Sequence, residues 1–242
     1  MKSFSITDIG MLRSMNQDAF YTSERPTGSL PNLFIVADGM GGHNAGEYAS
    51  THTVDTMVEV ARASSMATPE AVLEAAIKAA NENLLRQASL EPSMWGMGTT
   101  VVAAVVAGDR LHIANVGDSR LYIAGDALRQ VTLDHSLVEE MVRKGKLDKE
   151  AARTHPDKNM ITRAVGAVKE IEIDFFKERL REGDKVLLCS DGLTNMVEDD
   201  EIYRIITEQK DTKRIAERLV QEANRNGGKD NITVTVIDPF FL

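Results

Sequence analysis

Apolar and polar positions alternate at the start of the chain. Phe4-Ser5-Ile6-Thr7 reads as a strand, Gly10 opens a polar turn with Arg13, Asn16, Gln17 and Asp18, and Ala19-Phe20-Tyr21 resumes an extended pattern. The run Phe34-Ile35-Val36-Ala37 is uninterrupted, as in a strand buried on both faces. Helical spacing follows. Val54, Met57, Val58 and Ala61 predict a helix over about 46–64, and Thr68-Pro69-Glu70 is a start signal for a second one faced by Leu73, Ile77, Ala80 and Leu84. Both helices are expected to cover a core, with Met57 and His52 as packing or surface residues.

From Gly98 the period shortens again. Residues 99–107 and 110–116, joined at Gly108-Asp109, predict a hairpin; Gly117-Asp118-Ser119 breaks the strand, 120–124 restart it, and Gly125-Asp126 turns it once more. This predicts an antiparallel meander and disfavours a doubly wound nucleotide fold, because tight turns leave no room for crossover helices. Ser136 is placed to cap a short helix that Gly145 stops. Residues 146–159 are charged and weakly periodic, and read either as a mobile flap beside a site or as a solvated excursion. Strand patterns at 171–175, 185–189 and 232–237 and helical patterns at about 198–207 and 212–224 complete the chain.

Composition narrows the class. With 242 residues, 43% of them hydrophobic, the chain can bury one sizeable core, so a single domain over 1–242 is expected. A net charge of -9 argues against nucleic acid or an anionic membrane surface as partner. The single cysteine, Cys189, excludes an internal disulfide and fits a reducing cytoplasm; inside an apolar run it reads as a core residue. The N-terminus shows no apolar leader segment, and the longest apolar run, 101–107, is too short to span a bilayer. A soluble, unprocessed protein is expected.

The candidate chemistry is acidic. The buried run ending at Asp38 is followed by Gly39-Met40-Gly41-Gly42-His43, so the Asp38 carboxylate and the Gly39 carbonyl are both placed to meet a cation; the alternative is a turn whose aspartate only caps. The run ending in Asp191-Gly192 repeats the theme. Asp230 stands at the start of a strand, which in an antiparallel sheet shares an edge with an aspartate ending its neighbour. Asp118 sits at a strand break, either re-aimed by a kink or a plain turn residue. Arg13 carries a fork suited to a phosphate, or pairs with Asp18 as a surface salt bridge. Carboxylates gathered at one sheet edge repel one another by roughly 4 kcal/mol per pair near ~4 Å. Oxygen-only ligands suit Mg²⁺ or Mn²⁺, and two such ions holding a water in line with phosphorus make a phosphoester hydrolase site.

The motifs Arg13 to Asn16-Gln17-Asp18, Val36-Ala37-Asp38-Gly39-Met40-Gly41-Gly42, Gly98-Thr99-Thr100, Asn115-Val116-Gly117-Asp118-Ser119-Arg120, Asp134-His135-Ser136, Thr162-Arg163-Ala164-Val165-Gly166, Ser190-Asp191-Gly192-Leu193 and Lys229-Asp230-Asn231-Ile232-Thr233 occur in this order. With them the chain closely resembles the PPM (type 2C) metal-dependent Ser/Thr protein phosphatases, in their compact bacterial form. The resemblance implies an α+β fold of four layers, α-β-β-α, with a central antiparallel β-sandwich between helices. It implies two Mn²⁺ or Mg²⁺ ions, Asp38 bridging both, the Gly39 carbonyl on one, and Asp191 and Asp230 on the other. Arg13 would grip the substrate phosphate, and Asp18 would support the metal waters or ligate directly. Asp118, with Asp191, would hold a third, weaker ion, and 137–160 would be the flap.

Two positions depart from the family. Gln17 replaces a glutamate of some relatives, and Met40 stands where animal relatives have a histidine proposed as general acid. A thioether has no proton to give, which leaves His43 or a metal-bound water for that role. The expected function is hydrolysis of phosphoserine and phosphothreonine on proteins, by direct attack of a water bridging the two ions, opposing a Ser/Thr kinase. Alternatives are a phosphatase of small phosphoesters and a catalytically silent relative that binds phosphoproteins or a kinase. A monomer is expected.

Overall fold

The computed structural model describes residues 1–42 and 44–241. Strands β1 (Lys2–Asp8), β2 (Asp18–Ser23) and β3 (Leu33–Met40) are followed by helices α1 (Ala45–Ala63) and α2 (Pro69–Leu90). Next come β4 (Gly98–Thr99), β5 (Val101–Ala107), β6 (Arg110–Val116), β7 (Arg120–Ala124) and β8 (Leu128–Gln130). After α3 (Leu137–Arg143), α4 (Lys149–Thr154), β9 (Asp174–Arg179) and β10 (Lys185–Cys189), the chain ends with α5 (Asp191–Thr194), α6 (Asp199–Glu208), α7 (Thr212–Arg225) and β11 (Ile232–Asp238). One sheet runs β1-β11-β10-β7-β8 and the other β2-β3-β5-β6-β9, with antiparallel pairing throughout. Helix starts follow their signals: Thr68 accepts from the Ala71 N–H and Ser136 from that of Glu139.

Period-two alternation sorts each central strand between two cores. Leu33, Ile35 and Ala37 of β3 pack with Met57, Leu73 and Ile77 of the helices. Phe34 and Val36, one residue out of phase, meet Leu121, Val186 and Leu188 of the opposite sheet. In that sheet Leu187 and Cys189 turn outward onto Ile205, Ile215 and Leu219. Three apolar layers therefore bond four layers of structure, α-β-β-α, and each fully buried Leu, Ile, Phe or Met adds about 1.5–3 kcal/mol of transfer free energy. The α+β sandwich implied by the family resemblance is the one observed.

The meander is corrected in one place. β6 pairs with β5 and β9, whereas β7 pairs with β10 and β8, so Gly117-Asp118-Ser119 carries the chain from one sheet to the other. Gly117 has φ +104, and a Cβ there would lie 2.6 Å from Thr100 Cγ2, so the crossing admits no side chain. Asp118 thus emerges at the seam between the sheets. The strand expected at 171–175 is displaced to Asp174–Arg179, because the charged edge positions of β9 pair with β6 while solvent takes their side chains.

The inter-sheet layer changes character at the seam end. There Thr7 and Thr233 share a hydrogen bond of 2.7 Å, Ser5 and Thr235 one of 2.8 Å, and Thr100 and Ser119 one of 2.7 Å. Hydroxyls replace hydrocarbon beneath the site, supplying donors where carboxylates need them.

Candidate active site

β2 and β3 place Asp18 and Asp38 as direct register partners. The Asp38 backbone is fixed by Thr100, whose hydroxyl accepts from the Asp38 N–H at 2.9 Å and whose N–H donates to the Asp38 carbonyl at 2.9 Å. Asp191 opens α5 directly after β10, and Asp230 precedes β11, which pairs with β10. Their backbones meet so closely that a Cβ on Gly192 would lie 1.9 Å from the Asn231 carbonyl oxygen. Asp38, Asp118, Asp191 and Asp230 line one cavity of about 240 Å³ together with Arg13, Gly39, Met40 and Gln17. Of the residues proposed from sequence, these come together. Asp18 lies beneath them and does not line the cavity: its Oδ2 accepts from Ser190 Oγ at 2.7 Å. His43 lies outside the described residues.

Burial dominates the electrostatics. It pushes the Asp18 carboxyl up to about 7, offset by hydrogen bonds from Thr233 and Ser190 and reinforced by Asp191 and Asp230. Asp191 is pushed up to about 6 by burial and then by Asp230. Asp38 and Asp118 rise well above the ordinary carboxylate range for the same reasons, burial first and neighbouring aspartates second. Arg13 donates to Asp230 Oδ2 at 2.7 Å, a bond that raises its own pKa. The salt bridge weighed from sequence therefore exists, with Asp230 in place of Asp18 as its acceptor.

The donor set fits a hard divalent cation. Asp18 Oδ1 and Asp191 Oδ1 are buried with no hydrogen-bond partner among the described residues, an arrangement that costs stability unless a cation compensates it. Every candidate ligand is oxygen, and among the described residues no histidine or cysteine lines the cavity. The described carboxylates do not close into a formed three-ligand cage; they line a common cavity with room between them. Cys189 lies in the core, its thiol pushed up to about 12 by burial. Met57 is buried under β3, and His52 stacks on Tyr48.

Sequence reasoning gave no role to three polar residues that hold this site. Asn231 accepts from the Gln17 N–H at 2.8 Å and donates to the carbonyls of Ile9 and Met15, pinning the loop that carries Arg13. His135 brackets the crossing at Gly117: its main-chain N–H donates to the Gly117 carbonyl and its Nδ1 accepts from the Gly117 N–H, both at 3.0 Å. Asn195 donates to Asp191 Oδ2 at 2.8 Å and accepts from Lys158 at 2.9 Å. Asn231 and Asn195 stand next to and four residues from the candidate ligands Asp230 and Asp191, whereas His135 is 17 positions from Asp118 and is marked only by its place in the Asp134-His135-Ser136 motif.

A β-sandwich between helices, with aspartates from both sheets and an arginine fork at one end, defines a metal-dependent phosphoester hydrolase. Among such enzymes the chain belongs to the protein phosphatase 2C family, whose sequence profile, described as Protein phosphatase 2C, matches residues 13–233. It is 40% identical over 237 residues to the serine/threonine phosphatase stp of Listeria innocua, covering 96% of this chain and 93% of that one. The crystal structure of the serine/threonine phosphatase Stp1 from Staphylococcus aureus superposes with a TM-score of 0.91 at 37% identity, covering 97% of this chain and 93% of that one. The catalytic domain of the serine/threonine protein phosphatase PstP, solved with two manganese ions, gives a TM-score of 0.85 at 36% identity over 97% of this chain and 96% of that one.

Proposed function

We infer that this protein is a metal-dependent protein serine/threonine phosphatase that releases phosphate from phosphoserine and phosphothreonine on other proteins. The observation that carries the reading is the meeting of Asp38, Asp118, Asp191 and Asp230 with Arg13 around one cavity. Asp38, the Gly39 carbonyl, Asp191 and Asp230 would hold two Mn²⁺ or Mg²⁺ ions, Asp118 would join Asp191 at a third, and Asp18 would orient Asp38 and solvent from below. Bound there, the ions supply Lewis acidity toward phosphoryl oxygens and water.

The chain's own residues do the rest. Arg13, paired with Asp230 and half exposed, has a fork that can take two phosphoryl oxygens as the substrate arrives. Water attacks phosphorus without a covalent phosphoenzyme. Thr100, the hydroxyl-bearing residue among those lining the cavity, is committed to the Asp38 N–H and to Ser119, and the Cys189 thiol is buried elsewhere. Met40 cannot protonate the leaving alkoxide; His43 is the side chain proposed for it.

The phosphatase would oppose a Ser/Thr kinase in signalling, as a cytoplasmic monomer. One cysteine and the net charge of -9 support that setting, and no helix among the described residues is long and apolar enough to cross a membrane. The test is Mn²⁺-dependent phosphate release from a phosphothreonine peptide. Asp38→Asn or Asp191→Asn should reduce it by at least about a thousandfold with the circular dichroism spectrum unchanged. A folded, metal-loaded wild type without turnover would point instead to a phosphoprotein binder.

A further inference from the structure

A second depression adjoins the catalytic cavity and differs from it in chemistry. It has a volume of about 440 Å³, and among the described residues no charged side chain lines it; Met40, Leu85, Trp95, Met97, Ala164 and Ala167 supply most of its wall. Met40 belongs to both, with one edge on the aspartates and the other on the groove. Its side chain sits over Gly98, its register partner, and Ala164: a Cβ built on Gly98 would lie 3.8 Å from Met40 Cγ and 3.4 Å from Ala164 Cβ. Trp95 stands beside this floor with 86% of its surface exposed.

An indole left in water forgoes a large burial term, and aromatic side chains at the centre of a concave apolar surface dominate recognition energies. On a chain carrying 27% charged residues, an uncharged groove opening directly off the site is selective for apolar matter. The cavity on the other side of Asp118 and Asp191 is lined by Arg120, Asp134, Arg153, Lys158 and Glu198 and would reject it. We propose that the groove between Met40 and Trp95 binds an apolar side chain of the phosphoprotein substrate near the phosphorylated residue. Met40 lies two residues beyond Asp38 along β3, about 7 Å at the strand rise of ~3.3 Å per residue. An extended substrate chain therefore brings its residues two to four positions from the phosphoresidue over the groove. The inference rests on the protein-phosphatase reading above and adds the sequence preference that reading lacks.

Trp95 is the only tryptophan in the chain, so its emission reports on the groove alone. Two phosphothreonine peptides, alike except for Leu or Ser placed two, three or four residues to either side, are compared on the Mn²⁺-loaded protein. At the matching position the Leu peptide is expected to show kcat/KM about tenfold higher, carried by KM, and to shift Trp95 emission to the blue. Trp95→Ala should erase that preference while hydrolysing p-nitrophenyl phosphate as the wild type does. Equal hydrolysis of Leu and Ser peptides at every position, with emission unchanged, would overturn the groove and leave the phosphatase intact. A blue shift with the Leu peptide and no phosphate release would keep the groove and overturn the phosphatase reading. A blue shift driven by protein concentration alone, with self-association in sedimentation velocity, would assign the groove to a second copy and overturn the proposal.

Discussion

Ser190 and Asp18 meet across the seam between the sheets, the serine hydroxyl donating to Asp18 Oδ2 at 2.7 Å while its oxygen accepts from the Thr233 N–H at 3.0 Å. A hydrogen bond to a buried charge contributes about 1.5–3 kcal/mol. Ser190→Ala therefore leaves the carboxylate harder to ionise near neutral pH, without opening a large void. The Mn²⁺ concentration for half-maximal activity should rise on the order of tenfold, with kcat at saturating metal changed much less. Metal titration of phosphate release measures both.

The raised aspartates make the metal-free protein sensitive to pH. Asp18, at about 7, and Asp191, at about 6, hold protons in the fold that an unfolded chain has already released above about pH 4. The folded state binds more protons across that window, so its stability falls as pH rises from about 4 through 7. In a chelator the melting temperature should be several degrees lower at about pH 8 than at about pH 5. Mn²⁺ should flatten or reverse that order, because it compensates the carboxylates most where they are ionised. Scanning calorimetry at the two pH values, with and without metal, is the check.

Asn195 links a candidate ligand to the charged segment 146–159, donating to Asp191 and accepting from Lys158. Arg153 makes the same attachment through the Thr194 carbonyl and Glu198. Asn195→Leu should loosen both Asp191 and that segment, whereas Lys158→Ala should loosen the segment alone. Hydrogen exchange in α4 should quicken in both variants, and Mn²⁺ affinity by calorimetry should fall several-fold only in the first.

Gly192→Ala should be among the most damaging small substitutions. Its methyl group would meet the Asn231 carbonyl oxygen, which belongs to rigid backbone at the turn that presents Asp230. A loss of about 3 kcal/mol or more is expected, with a fall in melting temperature of about 2–4 °C per kcal/mol. Urea unfolding in excess Mn²⁺ measures the stability, and metal affinity should drop with it because Asp191 and Asp230 can no longer approach.

What was legible in the sequence was whatever is local. The start of α2 at Thr68-Pro69, the cap at Ser136, the β5–β6 turn and the alternation that splits β3 between two cores are each written within a few residues. The carboxylates were legible because a charge directly after an apolar run must be brought out of the core somewhere. Pairing over long separations was not. Arg13 finds Asp230, 217 positions away, where its own turn offered Asp18. The passage of the chain between sheets at Gly117 looked like a bend within one sheet, since the competition of β9 for the edge of β6 leaves no mark near residue 117. The groove at Trp95 was equally hidden, because its walls come from three separated segments.

The acids around and beneath the cavity belong to both halves of the sandwich, Asp18 and Asp38 to one sheet, Asp191 and Asp230 to the margin of the other, and Asp118 to the link between them. A cation shared by them would act as a rivet through the two plates. Scarcity of that cation would then do more than idle the enzyme: it would leave this end of the sandwich prone to part, and open to proteases that a replete molecule resists.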